Sequence, residues 1–138
     1  MRKMNGFTLV ELMIVVVVVA ILAAVTIPSY QNYILQSHRT DAINALMDLA
    51  SRESRYYTIS NTYTDNMQTL GYATTPTVSI GSGRYDLSVS SVLPAGTFSL
   101  SAAPTTIGNQ NTDTCGTYTY TDLGVKGSAG TLSSCWKQ

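Results

Sequence analysis

The chain has 138 residues, of which only 12% are charged, and its eight basic and eight acidic side chains give a formal net charge of zero. That length holds one compact domain. So sparse and balanced a charge excludes the broad positive field that gathers nucleic acid, and two cysteines with a single histidine, His38, are too few ligands for a metal centre.

The N-terminus carries the sharpest signal. Arg2-Lys3-Met4-Asn5-Gly6-Phe7-Thr8-Leu9-Val10-Glu11 leads into apolar residues that run unbroken from Leu12 to Val25. As a helix, Phe7 to Ile27 reaches about 31 Å, close to the ~30 Å hydrocarbon core of a bilayer. A secretory signal peptide is the rival reading, and Ala20, Ala23 and Ala24 offer small residues. The apolar core is long for that role, however, and the small residue at the sharp polar-to-apolar boundary is Gly6. Cleavage there leaves the apolar segment on the mature protein. Arg2 and Lys3 precede the span and few basic residues follow it, so the positive-inside rule places the N-terminus in the cytoplasm.

Glu11 stands inside this span. A carboxylate in hydrocarbon costs roughly 2.5 to 3.5 kcal/mol even on the mildest insertion scales, so it requires a purpose and a partner. Pro28 follows, and with Thr26 it predicts a kink or partial loss of helix between Ala20 and Pro28. Beyond it Leu35, Ala42, Leu46, Leu49 and Tyr56 recur at helical spacing as one apolar stripe. Arg39, Asp48, Arg52 and Arg55 lie toward other faces, and Asp48 with Arg52 has the i, i+4 order of a weak surface pair.

After about Ile59 the composition turns to Thr, Ser, Gly and Tyr. Residues 59–84, with Gly71, Gly81 and Gly83, read as loop. Tyr85 to Val89 and Phe98 to Ala102 alternate apolar with polar, as half-buried antiparallel strands do, with a turn at Pro94-Ala95-Gly96 between them. A third strand is expected at Thr117 to Thr121, a turn at Asp122-Leu123-Gly124, and a short fourth strand near Val125 to Gly127. The head is small, so its core needs the helix to complete it.

Gly6-Phe7-Thr8-Leu9-Val10-Glu11-Leu12, with the Val/Ile/Ala-rich helix ending at Pro28-Ser29-Tyr30, resembles the N-terminus of type IV prepilins. More narrowly, Tyr118 to Trp136, where Cys115 and Cys135 bracket Leu123-Gly124-Val125-Lys126-Gly127, is similar to PilE-like pilins. The resemblance implies an α+β type IV pilin fold: a long N-terminal helix, half membrane and half amphipathic, packed on a four-stranded antiparallel sheet. It implies a leader at 1–6, a transmembrane or filament-core helix at 7–30, and a periplasmic or extracellular head at 31–138. The head divides into an amphipathic helix 31–58, the loop 59–84 and the sheet and disulfide region 85–138. It implies cleavage between Gly6 and Phe7 by a prepilin peptidase and methyltransferase, N-methylation of Phe7, and assembly through Phe7, Glu11 and Pro28. Facing the periplasm, Cys115 and Cys135 are expected to form a disulfide, whose loop of roughly 20 residues is worth about 3 kcal/mol.

Partners expected on this reading are other pilin subunits, the inner-membrane assembly platform and, before assembly, the lipid itself. No cofactor and no metal is expected, and with only scattered serines and His38 the chain offers no nucleophile, base or ligand cluster for an enzyme. A minor pilin is slightly favoured over a major one. The alternatives are a type II secretion pseudopilin, whose calcium site of clustered acids has no counterpart in the isolated Asp113 and Asp122, and a pilus-tip DNA receptor. The latter draws on the nine tyrosines but has only Arg84, Lys126 and Lys137 as basic residues after Arg55.

Overall fold

A computed structural model describes residues 7–92 and 96–137. Residues 1–6, and with them Gly6, lie outside it, as do Pro94 and Ala95 of the expected turn. The chain divides into two compact units, one ending at Ile34 and one beginning at Leu35.

Helix α1 spans Leu9–Ser37 and contains no buried residue. It passes through Pro28 without interruption, so the loss of helix expected between Ala20 and Pro28 does not occur. Ala20 is the strongest of helix formers, and a single proline removes only the bond to the Ala24 carbonyl while the turns on either side persist. The break comes instead at His38, which separates α1 from α2 (Arg39–Ser60). Asn61 ends α2 in the left-handed region (φ 53°) and donates its N–H to Tyr57 O at 2.8 Å, the αL type of C-terminal cap.

The second unit is a five-stranded antiparallel meander, β1 (Thr77–Ile80), β2 (Tyr85–Val92), β3 (Thr97–Pro104), β4 (Tyr118–Thr121) and β5 (Lys126–Ser128), in that spatial order. The expected four strands are all present, and the fifth is β1, inside the stretch read as loop. Thr77-Val78-Ser79-Ile80 turns Val78 and Ile80 toward the core and pairs along its whole length with Tyr85 to Ser88. Its hairpin turns through Gly81, Ser82 and Gly83, all at positive φ, and a Cβ on Gly81 would stand 3.2 Å from Asp41 Oδ2. A 3-10 helix (Ile107–Thr112) and a short α3 (Leu132–Cys135) were also not anticipated.

Strand alternation decides the layers. Tyr85, Leu87 and Val89 of β2 and Phe98, Leu100 and Ala102 of β3 face inward, while Ser88, Ser90, Ser99 and Ser101 face out. The inner face meets Ala42, Ile43, Leu46 and Leu49 of α2, all at most 2% exposed. Met67 and Leu70, from the connection between α2 and β1, close one side of this core.

Candidate assembly site and the surfaces of the head

At the start of α1, Thr8 and Glu11 cap the helix for each other. The Thr8 N–H and hydroxyl both reach Glu11 Oε2 at 3.0 Å, and the Glu11 N–H donates to Thr8 Oγ1 at 3.2 Å. This is a capping box, and the Thr-x-x-Glu spacing signals it directly in the sequence. It gives the carboxylate a local partner in the single chain, at the helix end whose unpaired N–H groups favour negative charge. In the uncut chain the nitrogen of Phe7 is a peptide N–H, so the amine expected to face Glu11 exists only after cleavage.

From Leu12 to Val25 the helix is apolar on every side. Phe7 is 88% exposed and Val16 58%. A helix apolar all round is a buried helix, here one whose cover comes from outside its own chain. Tyr30 and Tyr33 follow beside Val25, Thr26 and Ser29, at the end of the apolar stretch where aromatic side chains sit at a membrane boundary.

The head is held by buried polar contacts that long-range folding creates. Arg39 was expected to face away from the core and Asp113 to stand alone. Arg39 instead reaches Asp113 through Nε at 2.9 Å and through a second donor on the same carboxylate. Gln110, fully buried, donates to Leu35 O at 3.1 Å and to Tyr85 Oη at 2.9 Å. The Asp48–Arg52 pair forms as expected, at 2.7 Å. Cys115 and Cys135 are bridged, both buried, and a Cβ on Gly130 would come within 2.6 Å of Thr114 O, so only glycine lets the chain pass the disulfide. The Tyr118 hydroxyl donates to Cys135 O and the Trp136 indole to Gly127 O, pinning the tail onto β5.

The basic residues weighed for DNA do not share one patch. Lys126 holds its ammonium 5.2 Å from the Trp136 ring centre, and the Tyr120 ring centre lies 6.4 Å from that of the indole. Arg84 lies at the opening of β2, where it donates to Gly108 O. Three strand spacings, about 14 Å, separate β2 from β5.

A bare apolar helix headed by one carboxylate, followed by a small disulfide-closed α+β head, defines a membrane-anchored subunit that buries its helix first in lipid and then against its fellows. Known proteins agree. Residues 1–27 match the prokaryotic N-terminal methylation motif. Residues 28–119 match the family described as "Type IV minor pilin ComP, DNA uptake sequence receptor". Fimbrial protein Q of Moraxella bovis is 34% identical over 125 residues, 84% of this chain and 77% of that protein. The type IV major pilin protein PilE1 of Neisseria gonorrhoeae is 39% identical over 72 residues, 52% of this chain but only 44% of the relative. A type IV pilin structure from Shewanella oneidensis shares the fold with a TM-score of 0.55 and 28% identity, over 75% of this chain and 99% of that one. The chain belongs to the type IV pilins. Membership implies membrane anchoring before entry into a pilus, processing by prepilin peptidase and polymerisation with other pilin subunits.

Proposed function

We propose that this chain is a low-abundance structural subunit of a type IV pilus, mechanical rather than catalytic in its work. It inserts once through the inner membrane with its N-terminus inside, is cut between Gly6 and Phe7 and is methylated on the Phe7 nitrogen. An assembly platform then lifts it into the filament. The observation that carries this reading is the exposed apolar surface of α1 with Glu11 at its head. Cleavage turns the Phe7 N–H into a cation about one helical turn from Glu11. In the filament the carboxylate exchanges its Thr8 contact for the amine of a neighbouring subunit. A buried carboxylate left unpaired costs roughly 3 to 5 kcal/mol, so the pair sets the axial register of an otherwise smooth helix. Burial in lipid or in the filament covers the same surface, which makes extension and retraction reversible and suits adhesion, twitching motility or DNA uptake.

The minor rank is supported by the description of the family matched at 28–119. Intact-mass analysis of sheared pili tests both parts. A chain beginning at methylated Phe7, present at far below one copy per major subunit, is the expected result. A chain beginning at Met1 defeats the assembly reading, and a filament made mostly of this chain defeats the minor rank.

A second reading, a receptor for DNA, is favoured by the same family description and by Lys126 lying over Trp136. Lysine over an aromatic ring is one element of a strand-binding platform. DNA retention by the purified protein that survives Arg84→Ala with Lys126→Ala removes this reading; a fall of tenfold or more supports it.

A further inference from the structure

Glu53 lies in the core stripe of α2, after Ala42, Leu46 and Leu49, and is fully buried. Its Oε2 accepts the Thr64 N–H at 3.3 Å, while Oε1 is buried without a hydrogen-bond partner. Thr64 belongs to residues 61–72, the near part of the connection between α2 and β1. The far end of that connection is tied elsewhere: Arg52 donates to Leu70 O at 2.9 Å and the Tyr72 hydroxyl to Asp48 at 3.0 Å. The near end is held by Glu53 and by Tyr63, which stacks on Tyr57 and meets the edge of Phe98.

Burial outweighs the one group that favours the ionised form of Glu53, the Thr64 N–H. Asp65, a like charge on the loop, acts against its ionisation, and among the described residues no arginine or lysine offsets it. Tyr63 interacts with Glu53 and with Asp122 of the β4–β5 turn. On α2, Arg52 is engaged by Asp48 and Leu70 O. Of the strands packed on α2, β1, β3 and β4 carry no charge, Asp86 of β2 accepts from the Ser79 hydroxyl, and the inward Tyr85 and Tyr118 are engaged by Gln110 and Cys135 O. A buried carboxyl with one oxygen unpaired by protein groups is tolerable while protonated and costlier once ionised, because burial strips the charged form of bulk solvent.

We infer that Glu53 is a proton-operated latch for residues 61–66: protonated, it lets the segment close over the core; ionised, it lets the segment lift while Leu70 and Tyr72 stay tied. Lifting uncovers Tyr63 and the flank of Met67, so proton loss widens the exposed edge of the head. Burial pushes the carboxyl up to about 7, so the opening grows as pH rises from about 4.5 and is complete a little above 7. A carboxyl titrating near 7 when closed and near 4.5 when open makes the segment open about 30-fold more often at pH 8.5 than at pH 5.5.

Amide hydrogen exchange on the full chain in detergent micelles tests this, with rates corrected for the intrinsic effect of pH. The expected result is a loss of protection of about 30-fold at Thr64 and its neighbours between pH 5.5 and 8.5, constant protection at Leu100 in β3, and no such change in Glu53→Gln. Equal loss at Leu100, the same loss in Glu53→Gln, or protection indifferent to pH overturns the latch. Should Glu53→Gln fail to fold, carbon-13 titration of the wild-type Glu53 carboxyl decides: a midpoint near 7 that coincides with loop opening supports the latch, and a midpoint below about 5 overturns it.

Discussion

The two units of this pilin solve the same problem in opposite ways. In the head, Leu46, Leu49, Leu87 and Leu100 are wholly covered by the chain itself. In α1, residues just as apolar stand bare, with Leu12 61% and Ile21 62% exposed. At about 25 cal/mol per Å² the head gains its stability from its own folding, whereas α1 gains nothing until lipid or another subunit covers it. The difference assigns the tasks: the head can be stable as a monomer and vary its surface, and the helix can leave one apolar environment only by entering another.

The largest effect expected is at Glu11. Glu11→Val keeps the span apolar and should insert in the membrane normally, since it removes the one costly residue there. Incorporation into pili, measured by immunoblot of sheared filaments against the membrane fraction, should fall at least tenfold, while the urea midpoint of the head stays where it was. Normal incorporation would refute the register role, and a shifted head midpoint would show that the two units are not independent.

The complementary break lies in the head. Asp113 is 7% exposed and Arg39 is its cation, so Arg39→Ala strands a buried carboxylate and should cost the head about 3 to 5 kcal/mol. Chemical unfolding followed by Tyr and Trp fluorescence measures this, and membrane insertion should be unaffected. Asp113→Asn on top of Arg39→Ala should recover a large part of the loss; absence of any recovery would mean that packing of the arginine stem, not charge, carries the effect. Next in size is the disulfide. Cys115→Ser with Cys135→Ser should cost about 3 kcal/mol, with the fold retained while α2 still covers the sheet.

Which parts were legible in the sequence follows from the range of the contacts involved. The apolar run, the 3.6-residue stripe and the alternation of Tyr85 to Val89 and Phe98 to Ala102 are local patterns, and each became the element it predicts. β1 was missed, because its four residues gain their stability from pairing with β2, and pairing is not a local property. The capping of α1 was written in Thr8 and Glu11. The Arg39–Asp113 pair was not legible, because 74 positions separate the partners and a lone aspartate in a loop carries no mark of its burial. Glu53 likewise reads as an exposed charge on a helix until the loop folds over it. Continuity of α1 through Pro28 shows a local rule overruled, with the turns on either side carrying the helix past the one bond that the proline removes.

The smallest effect tests whether surface charge matters to the head at all. Asp48 accepts from Arg52 at 2.7 Å and from the Tyr72 hydroxyl at 3.0 Å, yet its side chain is 49% exposed. Those contacts hold its carboxyl below the ordinary range, with the Arg52 hydrogen bond foremost. A depressed carboxyl contributes stability above its unfolded pKa and loses it as pH falls through the folded value, so the contribution is present at neutral pH and fades in acid. Water screens the pair, and Asp48→Asn keeps an acceptor for Tyr72, so the cost should stay within about 0.5 kcal/mol at pH 7 and shrink as pH falls below 3.8. Glu53 runs in the opposite sense: with its carboxyl raised from 4.5 to about 7 in the closed head, stability is lost as pH rises from about 4.5 to about 7 and levels off above that. Urea midpoints of the wild type and the Asp48→Asn and Glu53→Gln variants at pH 3, 5.5 and 8.5 separate the two. A head that weakens toward alkaline pH through Glu53 while remaining nearly blind to Asp48 places its pH response in the buried carboxyl under the loop rather than in the charges on its surface.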